Sequence, residues 1–224
     1  VAALRARFKN AGHAAESATP MSTMLTLYTH PRSRGRIARW MLEEIGEPYD
    51  TVVVPYGPPM KAPEYLALNP MGKVPTLVHG DTVVTETPAI LAYLADAFPA
   101  AGLAPPLAER GAYYRWLFFA AGPMEAAVTD QALGVKVEAK QQGFVGYGSA
   151  QLTEDTLAAA LAGRTFIAGD RFSAADLYLC AKLDFALAFG NLPKRPEFLA
   201  YCAAHAQRPA KRRAAALDDA AVSS

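Results

Sequence analysis

This chain of 224 residues has little cysteine, little net charge and no long apolar run. Each shortage excludes something. Two cysteines, Cys180 and Cys202, stand far apart in helix-like surroundings. That spacing is neither a disulfide framework nor a metal-ligand cluster, and it fits a reducing cytoplasm. A formal net charge of +1 offers no broad electrostatic attraction to nucleic acid. No apolar stretch approaches the roughly 20 residues of a membrane span, so no membrane partner is expected. What is present is ample core material: 52% of the residues are apolar. The length allows one large domain or two small ones.

Residues 1–23 differ from the rest. They are Ala-rich, carry Arg5, Arg7 and Lys9, and lack the apolar core of a secretion signal. They read as a disordered leader, or as sequence upstream of a start at Met21 or Met24. From there the pattern predicts a strand at 24–28, a loop, and a helix at 33–45 with Ile37, Trp40, Met41 and Ile45 on one face. Gly46 ends that helix. A second strand at 49–54 follows, and strand–helix–strand implies a parallel crossover. A Pro- and Gly-rich loop and a short helix at 63–68 come next, stopped by Asn69-Pro70.

The stretch 72–90 organises the first half. Two β-rich runs, 76–79 and 82–85, flank Gly80-Asp81 and read as an antiparallel hairpin. Thr87-Pro88 then opens a helix, with Thr as cap and Pro at the first position; Ile90, Leu94 and Phe98 mark its apolar side. Glu86 and Thr87 are therefore expected to face outward at a helix start, where unpaired N–H groups attract a carboxylate.

Residues 100–106, with Gly102 and paired Pro105-Pro106, read as a linker between a first domain at 24–99 and an all-helical domain at 107–224. A long helical pattern from 107 to 133 should break at Gly122-Pro123. The segment 134–148 reads as a loop and 152–161 as helix. Ser173 and Asp176 form a capping box flanked by the staple pair Phe172 and Leu177, so they are folding residues rather than catalytic ones. Further helices are expected at 196–207 and, as a short last one, at 209–216.

The order βαβαββα followed by helices resembles cytosolic glutathione transferases, and among them the bacterial serine-type, theta-like members. The resemblance rests on Val74-Pro75, on Glu86-Thr87 standing where the family has Glu-Ser, and on the capping box. It implies a thioredoxin-like N-terminal domain, an all-α C-terminal bundle and a glutathione co-substrate, with no metal. It implies that Val74 and a cis Pro75 offer backbone hydrogen bonds to the cysteinyl part of glutathione. Glu86 and Thr87 would hold its γ-glutamyl end, and Lys61 and Lys73 its carboxylates. At the first strand–helix junction it implies Ser33 as the hydroxyl facing the sulfur, with Arg34 as the alternative donor. No cysteine stands at that junction, which disfavours glutaredoxin-like thiol transfer.

The electrophile, a small hydrophobic molecule, would meet Tyr113, Trp116 and Phe119. The expected activity is conjugation of the glutathione thiolate, in a symmetric homodimer. Glutathione-dependent isomerisation, dehalogenation or peroxide reduction is the neighbouring alternative. A non-catalytic transferase-like protein, acting as ligand carrier or interaction scaffold, is the alternative of a different class.

Overall fold

A computed structural model describes residues 24–222; the reading of 1–23 as a leader lies outside the described residues. The chain divides into two compact units. One holds the described residues up to Tyr93 together with those from Arg213 on, the other Leu94–Arg212.

The first unit is built on a four-stranded sheet in the order β2-β1-β3-β4. Its strands are β1 (Leu25–Thr29), β2 (Tyr49–Val53), β3 (Thr76–His79) and β4 (Thr82–Thr85). Every residue of β1 is buried, as a central strand covered on both faces requires. Helix α1 (Gly35–Ile45) makes the parallel crossover from β1 to β2, and Leu25 stands opposite Tyr49. Its buried face carries Ile37, Trp40, Met41 and Leu42. Gly46, at φ 79°, then closes it by donating its N–H to the Leu42 carbonyl at 3.0 Å. The β3–β4 hairpin has the anticipated bounds and antiparallel register. Helices α2 (Pro63–Leu66) and α3 (Thr87–Ala97) complete the thioredoxin-like set. Tyr28, Val54, Met60, Tyr65, Leu68 and Val78 pack into one apolar cluster.

The second unit is helical. It contains α4 (Arg110–Ala121), α5 (Pro123–Leu133), α6 (Ala150–Leu161), α7 (Ala174–Ala188) and α8 (Pro196–Ala206), and α9 (Pro209–Val222) begins in it. The long pattern does break at Gly122-Pro123, where Pro123 starts the new helix at its first position. Residues 102–106 are irregular between short 3-10 turns at Pro99–Ala101 and Leu107–Glu109.

Helix α7 starts from the anticipated capping box. The Asp176 carboxylate is wholly buried. It accepts from the Ser173 N–H at 2.9 Å, the Ser173 hydroxyl at 2.8 Å, the Ile167 N–H at 2.7 Å and the Tyr201 hydroxyl at 2.7 Å. A charge removed from water needs such a full set of donors.

The end of the last helix is the boundary that departs furthest from expectation. The last helix does not stop near 216 but runs to Val222. The reason is an ion pair within the first unit. Arg39, on the otherwise apolar face of α1, meets Asp218 at 2.9 Å, with both side chains almost fully covered. Arg39 also donates to the Tyr49 hydroxyl at 3.3 Å and the Thr51 hydroxyl at 3.2 Å. Burial pushes the Asp218 carboxyl up, against the pull of Arg39. Arg213 with Glu43 at 3.0 Å and Arg36 with Asp219 at 2.9 Å add exposed pairs along the same helix.

Candidate functional site

Strand register brings three segments to one end of the sheet. Tyr28 stands opposite Thr76, and Thr76 opposite Thr85. The residues that follow outward are Thr29 leading to the α1 junction, Pro75 preceding β3, and Glu86 after β4. The Val74–Pro75 peptide is cis.

The Val74-Pro75 segment is anchored from behind. The Lys73 carbonyl accepts from the Tyr65 hydroxyl at 2.7 Å and the Asn69 side-chain amide at 2.8 Å. Tyr65 also bonds Thr76 Oγ1 at 3.0 Å. Burial pushes the Tyr65 hydroxyl up to about 12, so it stays protonated and able to donate to that carbonyl at neutral pH. Asn69 turns its other amide atom to the Met71 N–H at 3.1 Å. Lys61 Nζ donates to the carbonyls of Met71 at 2.9 Å and Gly72 at 3.0 Å, so two of its protons already serve the loop. Gly72 sits at φ 57°, and a Cβ there would lie 2.6 Å from the Met60 carbonyl. Lys73 is exposed. The sequence pattern marks 63–70 only as a short helix with a stop. It misses Tyr65 and Asn69, because side-chain-to-carbonyl bonds leave no periodic trace.

The β4–α3 connection is a single residue. Strand β4 ends at Thr85 and α3 starts at Thr87, so Glu86 alone turns the chain, at φ 66°. Left-handed backbone is uncommon outside Gly, Asn and Asp and is held only where the surroundings over-determine it. The Glu86 carbonyl accepts the first helical bond, from the Ile90 N–H at 2.9 Å. Glu86 is thus at the cap, Thr87 at the first helical position and Pro88 at the second, one place later than the sequence pattern had put them. Glu86 and Ala89 are exposed, whereas Thr87 is covered at 5% exposure. The outward face of this helix start therefore belongs to Glu86, not to the Glu86-Thr87 pair.

At the β1–α1 junction, the Ser33 hydroxyl donates to the His30 carbonyl at 2.7 Å and accepts from the Gly35 N–H at 2.9 Å. Arg34 is the N-cap residue of α1 and is exposed, as is Arg32. Two guanidinium groups and a helix N-terminus favour negative charge here. Tyr28 is buried inside β1 at 1% exposure. The His30 ring lies 4.0 Å from that of Tyr56, and its Nδ1 accepts from the Arg32 N–H at 3.2 Å. Burial, and then Arg32, push the His30 imidazole down, which favours its neutral form.

In the second unit Tyr113 and Trp116 are core residues, at 1% and 5% exposure, and Phe119 is half-buried with its ring edge-on to Trp116 at 5.3 Å. Of the three, Phe119 has the most surface to offer. The Tyr113 hydroxyl is buried with no hydrogen-bond partner among the described residues, and burial pushes it up. Cys180 and Cys202, distant in sequence, are neighbours in space, with Asp184 beside them. Among the described residues no helix is long and apolar enough to cross a membrane.

Comparison with known proteins agrees with this architecture. The glutathione S-transferase N-terminal domain family matches residues 33–97. Glutathione S-transferase F10 of Arabidopsis thaliana is 32% identical over 166 residues, which cover 69% of this chain and 77% of that protein. Glutathione S-transferase GstA of Escherichia coli O157:H7 is 32% identical over 160 residues, covering 66% and 73%. Among solved structures, a glutathione S-transferase from Xylella fastidiosa aligns with a TM-score of 0.73 at 27% identity, covering 87% of this chain and 98% of that one. A sphingomonad glutathione S-transferase complexed with glutathione aligns at 0.70 and 28% identity over the same shares. With a four-stranded thioredoxin-like sheet, a helical second unit and relatives matched over most of their length, the chain belongs to the glutathione S-transferase family of enzymes.

Proposed function

We propose that the protein conjugates the glutathione thiolate to small hydrophobic electrophiles, as a serine-type, theta-like member of its family. The observation that carries this reading is the convergence of the β1–α1 junction, Val74-Pro75 and Glu86 at one end of the sheet. A peptide laid along that end would pair its backbone with Val74, in the manner of an added strand. Its γ-glutamyl end would reach the α3 terminus, where Glu86 is exposed and the Thr87 and Ala89 N–H groups have no carbonyl within the helix. Thr87 contributes through its backbone, since its side chain is covered. Lys73 is the better of the two lysines for a glutathione carboxylate, because Lys61 already serves two carbonyls.

The chemical task is to ionise a thiol whose ordinary pKa is about 8.5. A drop of about 2 units requires roughly 2.7 kcal/mol of preferential thiolate stabilisation. One hydroxyl donor, the α1 N-terminus and the Arg32 and Arg34 charges together are of that order. For Ser33 to donate to sulfur, its hydroxyl must rotate away from the His30 carbonyl; the backbone N–H of Arg34 is the donor that needs no such change. The electrophile would lie against Phe119, with Tyr113 and Trp116 shaping the core behind it. The protein would act as a cytoplasmic homodimer, like others of its family.

Calorimetric titration with glutathione tests the reading. Binding at sub-millimolar to millimolar concentration, weakened in Glu86→Ala and unchanged in a distant surface variant such as Lys140→Ala, is the expected result. No heat at millimolar glutathione rejects it.

A further inference from the structure

Helices α7 and α8 bring together side chains that glutathione chemistry does not use. Cys180 and Asp184 stand one turn apart on α7, and Cys202 faces them from α8. The two sulfurs and a carboxylate oxygen all lie within 4.8 Å of one another. The Cys180 sulfur is 3.8 Å from Asp184 Oδ2. Zinc–thiolate bonds of ~2.3 Å and zinc–carboxylate bonds of ~2.0–2.2 Å, at tetrahedral angles, separate sulfur from oxygen by roughly 3.5 Å and sulfur from sulfur by roughly 3.8 Å. The observed spacing needs only side-chain adjustment to meet these values.

A cation already occupies part of this place. Lys211, from α9, sets its Nζ 2.6 Å from Asp184 Oδ2 and 3.5 Å from the Cys180 sulfur. Cys180 is fully buried and Cys202 nearly so, but the Asp184 and Lys211 side chains are 41% and 21% exposed. The cluster is thus closed behind the sulfurs and open to water past the ion pair.

We propose that Cys180, Cys202 and Asp184 form a binding site for a thiophilic divalent cation, zinc foremost, with Lys211 as the resident cation that the metal displaces. Two thiolates and one carboxylate are a donor set that selects zinc over magnesium or calcium. Binding releases the two thiol protons to solvent and frees Lys211, still protonated, to swing outward. Water takes the fourth position, on the open side. The metal then ties α7 to α8, a cross-link that is independent of the transferase reading.

The experiment uses the untagged full chain, reduced with a phosphine, stripped of metal and titrated with Co²⁺ and then Zn²⁺. One equivalent of Co²⁺ should give a thiolate-to-cobalt charge-transfer band with the visible bands of a tetrahedral site, and one equivalent of Zn²⁺ should abolish them. Cys180→Ser and Cys202→Ser should each lose the charge-transfer band. Asp184→Asn should weaken binding by about tenfold or more, and Lys211→Met should tighten it by removing the competitor. No thiolate–cobalt band in the reduced parent, or a band that survives in both cysteine variants, overturns the proposal. Should the cysteine variants fail to fold, Asp184→Asn and Lys211→Met decide, since both change partly exposed side chains. Cobalt affinity unaltered in both overturns it equally.

Discussion

Ser33 closes the turn that leads into α1: its hydroxyl donates to the His30 carbonyl at 2.7 Å and accepts from the Gly35 N–H at 2.9 Å. The same oxygen is the candidate to face a glutathione sulfur, so the group carries a folding role and a proposed chemical one. The two roles separate by measurement. Ser33→Ala should lower stability by about 1 kcal/mol in a denaturant titration, the ordinary effect of losing a cap-like hydroxyl. With glutathione bound, the thiolate absorbance should titrate at a higher pH than in the parent, moving toward the free-thiol value of about 8.5. A stability loss with an unmoved titration would leave Ser33 as a turn residue and transfer the thiolate role to Arg34.

Gly35 is where α1 begins, and it admits no side chain. A Cβ there would lie 1.9 Å from Thr29 Oγ1 and 2.9 Å from Ser33 Oγ. Thr29 is fully buried at the end of β1, and its hydroxyl has no hydrogen-bond partner among the described residues. Gly35→Ala should therefore destabilise by about 1–3 kcal/mol through overpacking, despite the better helix propensity of Ala. Adding Thr29→Ala removes the nearest obstructing atom and should restore part of the loss. Additive effects of the two substitutions in denaturant would contradict this packing account.

Local patterns carried most of the fold. Strand alternation and the Gly80-Asp81 turn place the hairpin, Gly46 stops α1, and Ser173 with Asp176 opens α7; each is a matter of a few adjacent residues. The sheet end where the proposed site gathers follows from that hairpin register. Contacts between distant residues left no such trace. Arg39 looks like an interruption of an apolar stripe until Asp218, 179 residues later, is seen beside it. That pairing is why the last helix continues past 216. Tyr65 and Asn69 act on a carbonyl, an atom every residue possesses, so no residue type announces the contact. Cys180 and Cys202 meet only because two helices pack.

Glu86 stands at φ 66°, in a region that carries a penalty of roughly 1–2 kcal/mol for a residue with a Cβ. Glu86→Gly removes that penalty and adds about 0.5–1 kcal/mol of unfolded-chain entropy to be lost on folding. The net change should be neutral or stabilising. Glu86→Ala keeps the penalty and should be no more stable than the parent. Both remove the exposed carboxylate, so both should weaken glutathione binding in the calorimeter. Clear destabilisation of Glu86→Gly relative to Glu86→Ala would show that the backbone at this turn is unstrained.

His205 sets a pH dependence in the helical unit. Its ring is 2% exposed, packs among Phe166, Phe172 and Tyr201, and donates from Nε2 to the Thr165 carbonyl at 2.9 Å. Burial pushes its pKa down; the nearby Asp176 opposes that shift, and Arg208 and Lys211 reinforce it. Above the ordinary value of about 6.5 the imidazole is neutral in both states and its contribution is complete. Below that value the unfolded chain takes up a proton that the folded chain refuses, so stability falls as the pH drops toward the depressed folded value. His30 shifts in the same direction and Asp218 in the opposite one, so the His205 contribution is read as a difference between two proteins. His205→Gln should be less stable than the parent near pH 7.5, by about 1–3 kcal/mol for lost packing and hydrogen bonding. The gap between the two denaturation midpoints should narrow steadily from about pH 7 to pH 5.5, because only the parent carries this proton-linked loss. A gap that stays constant over that range would mean that His205 protonates as readily in the folded protein as in the unfolded chain.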